Sequence, residues 1–209
     1  MSTVRVKVCG ITSVEDGLMA ARLGAHAIGL VFWPKSPRFV ELEKARAIAA
    51  ALPPFVARVG VFVDAPRDLL LRTADSVGLD VLQLHGAEAA QDLVDLPRRV
   101  VKALSVAPGF RAEAVDAYLP RTSGILLDSG SAGQPGGTGR PFDWSVAQAV
   151  RARVAHLILA GGLTAENVGA AIHAVGPDVV DVSTGVESAP GRKDEARLRA
   201  FMAAVIRVG

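Results

Sequence analysis

The chain has 209 residues, half of them hydrophobic, a formal charge of +2 and a single cysteine. Its basic residues are dispersed and sit beside acids, as in VELEKARA and GRKDEARLRA, a pattern of solvated helix faces that argues against a nucleic-acid partner. One cysteine excludes an internal disulfide, and apolar runs such as AIGLVFW fall short of the ~20 residues of a membrane span. With no signal-like start, the expected compartment is the cytoplasm.

The first expected strand, VRVKVCGIT, places Lys7 and Cys9 on one face, because side chains alternate along a strand with a period of two. SVEDGLMAARLGA follows with a serine cap signal and acids in its first turn, predicting a helix over about 13 to 23. AHAIGLVFW is an almost unbroken apolar run, suited to a strand covered on both faces. The loop WPKSPR leads into the helix VELEKARAIAAAL. FVARVGVFVD is a third strand rich in β-branched residues, and proline opens the next helix at PRDLLLRTADSVG.

The alternation continues with strand LDVLQLHG and helix AEAAQDLVDL, then strand RVVKALSV and helix FRAEAVDAYL. Strand SGILLDSG precedes a glycine-rich segment, SGSAGQPGGTGRP, and the helix FDWSVAQAVRA. VAHLILAGG with TAENVGAAIHAVG and PDVVDVSTG with DEARLRAFMAAVIRV complete eight strand–helix units. Such alternation demands parallel strands, and eight units are the number that closes a (β/α)₈ barrel. The turn CGITS lacks the G-x-G-x-x-G fingerprint of the doubly wound alternative. The expected organisation is one α/β domain over residues 1–209, a barrel of eight parallel strands.

In such a barrel the loops after the strands form the active face. The strand ends carry Cys9, Trp33, Asp64, His85, Asp128, Gly161 and Asp181, and Arg38 follows in the loop after strand two. Cys9 is either a small buried hydrophobe or, with the Lys7 ammonium beside it, a thiolate able to accept a proton. Asp128 is either a helix cap or a catalytic carboxyl facing a lid-like glycine-rich loop. Lys7 is expected to pair with Asp181 or Asp128 rather than act as a nucleophile. His85 is either a satisfied histidine packing beneath a loop or a proton-transfer group, with the first expected and no catalytic role assigned, and Gln83 is expected to line the barrel.

Three loops carry glycines suited to an anion, with caps and tight turns as the plain alternative: Gly137, Thr138 and Gly139; Gly161 and Gly162; Ser183, Thr184 and Gly185. No spacing suggests zinc or magnesium, so the site is expected to be free of metal.

Taken together, VKVCGIT, GLVFWPKSPR, VGVFVD, LQLHG, LLDSGSAGQPGGTG, LAGGLTAENV and DVSTGVESAPGRKD resemble the phosphoribosylanthranilate isomerase family over essentially the whole chain. The resemblance implies an Amadori rearrangement of N-(5-phosphoribosyl)anthranilate in tryptophan biosynthesis, without a cofactor. It implies Cys9 as general base, Asp128 as general acid, Arg38 at the anthranilate moiety and the glycine loops at the phosphate. It places Asp181 at the sugar hydroxyls and Lys7 beside the thiolate more loosely. Histidine-pathway isomerases carry an aspartate where this chain has Cys9, which separates them from it. A small-molecule substrate is implied, with a monomer favoured over a homodimer; a non-catalytic phosphosugar-binding barrel is the alternative.

Overall fold

The computed structural model describes residues 4–129 and 143–208. Eight strands form a closed parallel barrel in chain order: β1 (Arg5–Cys9), β2 (Ala27–Val31), β3 (Ala57–Phe62), β4 (Val81–Leu84), β5 (Arg99–Ser105), β6 (Gly124–Asp128), β7 (Leu157–Leu159) and β8 (Val179–Val182). Pairing of β1 with β8, with Lys7 opposite Asp181, shuts the ring.

Alternation along each strand divides two cores. Val6 and Val8 join Ile28, Leu30, Leu82 and Ile125 in the larger cluster, together with residues of the surrounding helices. A smaller cluster of Ala103, Leu126, Ile158 and Ala160 fills the barrel's interior. Asp128 shares the inward face with Leu126, as Cys9 does with Lys7.

The helices are α1 (Val14–Arg22), α2 (Leu42–Ala51), α3 (Arg67–Val77), α4 (Trp144–Arg151), α5 (Val168–Val175) and α6 (Glu195–Ile206). Their ends follow ordinary capping chemistry. The Ser13 hydroxyl accepts the Asp16 amide at the start of α1, and Asp194 does the same for Arg197 at α6. Gly78 and Gly176 take the left-handed conformation that ends α3 and α5. Among the described residues, no helix is long and apolar enough to cross a membrane.

Two expected helices are absent. AEAAQDLVDL holds only a 3₁₀ turn at Ala90–Leu93, and FRAEAVDAYL holds one at Ala112–Val115, with another at Leu119–Arg121 that begins on its last residue. The reason is a shortage of apolar surface, since Leu93 and Val115 are the only fully buried side chains of the two stretches. Local chemistry adds to it. Glu88 is drawn into the loop after β4, Asp95 takes a positive φ of 55° ahead of Pro97, and Pro120 follows directly on the second stretch. A further element was not foreseen: after β8 the chain forms an antiparallel hairpin, β9 (Glu187–Ala189) with β10 (Arg192–Lys193).

Candidate active site

The carboxyl ends of the strands enclose a cavity of about 350 Å³. Cys9, Asp128, Asp181, His85, Gln83, Trp33 and Arg38 line it, as do Gly161, Gly162 and Ser183 to Gly185. Its floor is an ion pair. Lys7 Nζ donates to Asp181 Oδ2 at 2.8 Å, with both side chains below 10 % exposure. Burial works against the Lys7 ammonium, but Asp181 and Cys9 outweigh it and raise its pKa. Burial also pushes Asp181 up, while the contact with Lys7 pulls it down. Such a pair is costly to break, because the surviving charge would be left buried and alone.

Cys9 stands one layer above Lys7. Gly29 of β2 lies beside it in register, and a Cβ at residue 29 would come within 2.7 Å of the Cys9 sulfur. Burial raises the thiol's pKa above its ordinary value of 9.0, and Asp181 adds to this; Lys7 and Lys193 act in the opposite sense. Gly10, with φ 74°, ends the strand where the Arg38 side chain crosses, and a Cβ there would collide with it.

The hairpin closes this side. Glu187 accepts from Arg38 Nε at 2.8 Å and Nη2 at 2.6 Å, while Lys193 Nζ donates to Glu187 Oε1 at 2.8 Å. Lys193 also donates to the backbone carbonyl of Cys9 at 2.6 Å. Arg38 Nη2 reaches the Thr184 hydroxyl as well. Burial pushes Glu187 up, yet Arg38 and Lys193 reverse that and hold it below the usual range.

Asp128 occupies the other side, 6 % exposed at the end of β6. Burial, then the Asp181 carboxylate, raises its pKa to about 6. His85 Nε2 faces Asp128 Oδ2 at 3.5 Å, too far for a good hydrogen bond. The Gln83 amide nitrogen lies 3.4 Å from His85 Nδ1; because an amide NH₂ only donates, the ring proton falls on Nε2. Burial, Lys7 and Lys102 lower the histidine's pKa to about 4, so it is neutral near pH 7. The expectation of a satisfied histidine therefore holds at Nδ1 only, since Nε2 is buried without a hydrogen-bond partner. Behind it, Lys102 donates to Glu88 Oε2 and to the Gly86 carbonyl, each at 2.7 Å, and Glu88 in turn accepts the Gly86 and Asp64 amides.

The loops after β7 and β8 meet backbone to backbone. Gly161 and Gly162 have positive φ of 86° and 66°. A Cβ at Gly161 would strike the Ser129 amide, and one at Gly185 would strike the Leu163 carbonyl. Asn167 fixes the first loop by accepting the Thr164 amide and donating to the Gly162 carbonyl. Ser183 Oγ and Asp181 Oδ1 are, with His85 Nε2, buried polar atoms of the cavity without a protein partner among the described residues.

Of the residues singled out in the sequence, Lys7, Cys9, Arg38, Asp128, Asp181, Gly161, Gly162, Ser183, Thr184 and Gly185 therefore converge on one face of the barrel. Gly137, Thr138 and Gly139 lie outside the described residues. Asp64 serves the rim instead, its carboxylate accepting the Ala87 amide at 2.7 Å. Glu187, Lys193, Lys102 and Glu88 were missed. In the sequence Glu187, Lys193 and Glu88 look like solvated charges, whereas Lys102 stands inside the apolar strand VVKAL, a signal that could have marked it. Among the described residues no group of three or more His, Cys, Asp or Glu could hold a metal ion.

A family model described as "N-(5'phosphoribosyl)anthranilate (PRA) isomerase" matches residues 6–204. The N-(5'-phosphoribosyl)anthranilate isomerase of Pseudomonas putida is 54 % identical over 206 residues, 98 % of each chain. That of Pseudomonas aeruginosa is 53 % identical over 205 residues, 98 % of this chain and 96 % of the relative. The crystal structure of phosphoribosyl anthranilate isomerase from Thermus thermophilus superposes with a TM-score of 0.90 at 39 % identity, covering 99 % of this chain and 100 % of that one. A phosphoribosyl anthranilate isomerase in complex with reduced 1-(o-carboxyphenylamino)-1-deoxyribulose 5-phosphate gives 0.85 at 40 % identity, covering 98 % and 99 %.

Proposed function

The chain belongs to the N-(5'-phosphoribosyl)anthranilate isomerase family and is an isomerase of tryptophan biosynthesis, and from that premise we infer how its residues divide the reaction. The substrate is N-(5-phosphoribosyl)anthranilate and the product 1-(2-carboxyphenylamino)-1-deoxyribulose 5-phosphate. The observation that carries the assignment is that Cys9 and Asp128 line one cavity; burial raises the pKa of both, and the thiol alone has Lys193 as well as Lys7 pulling it back toward its charged form.

Asp128 is the general acid. It protonates the furanose ring oxygen as the bond from that oxygen to the anomeric carbon breaks and the nitrogen lone pair forms a cationic Schiff base. That cation acidifies the neighbouring sugar carbon. Cys9, as thiolate, removes the proton there, and the enolamine formed tautomerises to the ketone. Nothing is oxidised or reduced overall, so the reading calls on no metal or cofactor.

An acid with a pKa of about 6 is protonated in about a tenth of molecules at pH 7, a far larger share than an unperturbed aspartic acid retains. The substrate's phosphate and carboxylate, both negative, raise that share on binding. Arg38, whose Nε and Nη2 are held by Glu187 and Thr184, offers Nη1 to the anthranilate carboxylate. Asp181 Oδ1 accepts a sugar hydroxyl while Lys7 steadies the thiolate. The phosphate sits on Gly161, Gly162 and Ser183 to Gly185, joined by Gly137 to Gly139. The same reading takes residues 1–209 as one catalytic domain, a monomer rather than a homodimer, acting in the cytoplasm.

The test is turnover. Purified protein should consume freshly generated phosphoribosylanthranilate, followed by anthranilate fluorescence, with no added cofactor. A folded preparation that binds a product analogue without turnover would replace the enzyme by a phosphosugar-binding barrel.

A further inference from the structure

Two charged residues behind the cavity wall carry no role in the reaction described so far, yet they are among the most deeply buried of the described residues. The side chains of Lys193 and Glu187 are 0 % and 3 % exposed. An ammonium has three protons to donate, and Lys193 directs them at three acceptors from different parts of the fold: Glu187 Oε1 at 2.8 Å, the Cys9 carbonyl at 2.6 Å and the Ser183 carbonyl at 3.4 Å. The hairpin presenting it is itself tied down. The Lys193 amide donates to Asp16 of α1, the Thr12 hydroxyl donates to the Gly191 carbonyl, and Arg197 of α6 donates to the Glu187 carbonyl.

We propose that Lys193 and Glu187 are a positioning pair for the reaction: Lys193 holds the end of β1, and with it Cys9, against the end of β8, while Glu187 holds Arg38 across the cavity wall. The inference rests on the reading of Cys9 as the base. The charged groups facing Cys9 are Lys7 on its own strand, Asp181 on β8, Lys193 on β10 and Arg38 after β2, with Glu187 behind the last two and Asp128 across the cavity. Lys7 is already matched by Asp181 at 2.8 Å. Lys193 is thus a second cation on the thiol, and Glu187 tempers it. Removing one or the other should move the Cys9 titration in opposite directions, which a purely structural role would not do.

Cys9 is the sole cysteine, so its alkylation by iodoacetamide reads its titration directly and without substrate. Lys193→Met should shift the pH–rate curve of alkylation upward and slow the reaction at pH 7.5 by about threefold or more. Glu187→Gln should shift the curve downward. In turnover, Lys193→Met should lower kcat, while Glu187→Gln should mainly raise KM by loosening Arg38. Lys193→Arg keeps the charge and should keep the alkylation curve near that of the parent, though its planar fork cannot meet all three acceptors and kcat should still fall. Should Lys193→Met fail to fold, Lys193→Arg and Glu187→Gln carry the test. In the two charge-removing variants, curves that coincide with the parent's or that move the same way overturn the proposal, as does unchanged kcat and KM in folded variants. If instead Cys9→Ala retains full activity, it is the base assignment that fails, and the alkylation curves still report on Lys193.

Discussion

The two sides of the cavity use the same material, a buried lysine paired with a glutamate, to opposite ends. Beside Cys9, Lys193 turns its ammonium onto the carbonyl of the base itself, and Lys7 stands one layer below. Beside Asp128, Lys102 turns away, onto Glu88 and the carbonyls of Leu84 and Gly86, and what faces the carboxyl is a neutral histidine. Burial favours the neutral form of both groups and Lys7 opposes it at both; the thiol alone has a second opposing cation, Lys193. The proposed division into base and acid thus leans on the direction in which one lysine points.

The sharpest way to break this contrast is to remove its two ends. Cys9→Ala and Asp128→Asn should each lower kcat about a thousandfold while leaving a product analogue able to bind. A rate within a few-fold of the parent in either variant would remove that residue from the mechanism.

A smaller effect lies in stability against pH. Asp128, raised from 3.8 to about 6, holds its proton better folded than unfolded; its contribution is complete below about pH 4 and is lost as pH rises through 6. His85, lowered from 6.5 to about 4, behaves in reverse: its contribution is complete above pH 6.5 and is lost as pH falls through 4. Each amounts to about 3 kcal/mol, and in the parent they largely offset between pH 4 and 6. Relative to the parent, Asp128→Asn should lose stability on acidification across that window, and His85→Gln should gain it. Urea midpoints measured at several pH values would show this, and parallel profiles would refute it.

The mildest perturbation is Arg38→Ala. Glu187 keeps Lys193 as its partner, so the wall should survive. KM should rise about tenfold with kcat little changed. An unchanged KM would remove Arg38 from substrate binding.

That Cys9 and Asp128 face the same end of the barrel was legible because strand periodicity is local; their proposed roles as base and acid came from the family resemblance. Counting by two from Lys7 reaches Cys9, and from Leu126 reaches Asp128; strand ends in a parallel barrel share one face. The order of the eight strands followed from the same patterning. The helices after β4 and β5 were misread for a related reason. Alanine- and acid-rich stretches such as AEAAQDLVDL have helical propensity, but a helix on a barrel is held by its apolar stripe, and Leu93 alone does not make one. The lysine–glutamate pairs escaped altogether. ESAPGRKD looks like a solvated turn until a hairpin folds it over the end of β1, and no local pattern encodes that contact.

Gly29 gives the site a property that belongs to no catalytic residue. The sulfur of Cys9 occupies the volume that a side chain at position 29 would claim. Part of the information that places the thiol is therefore carried by a missing carbon on the neighbouring strand. An alanine there would leave both functional groups chemically intact and still evict the sulfur from its seat.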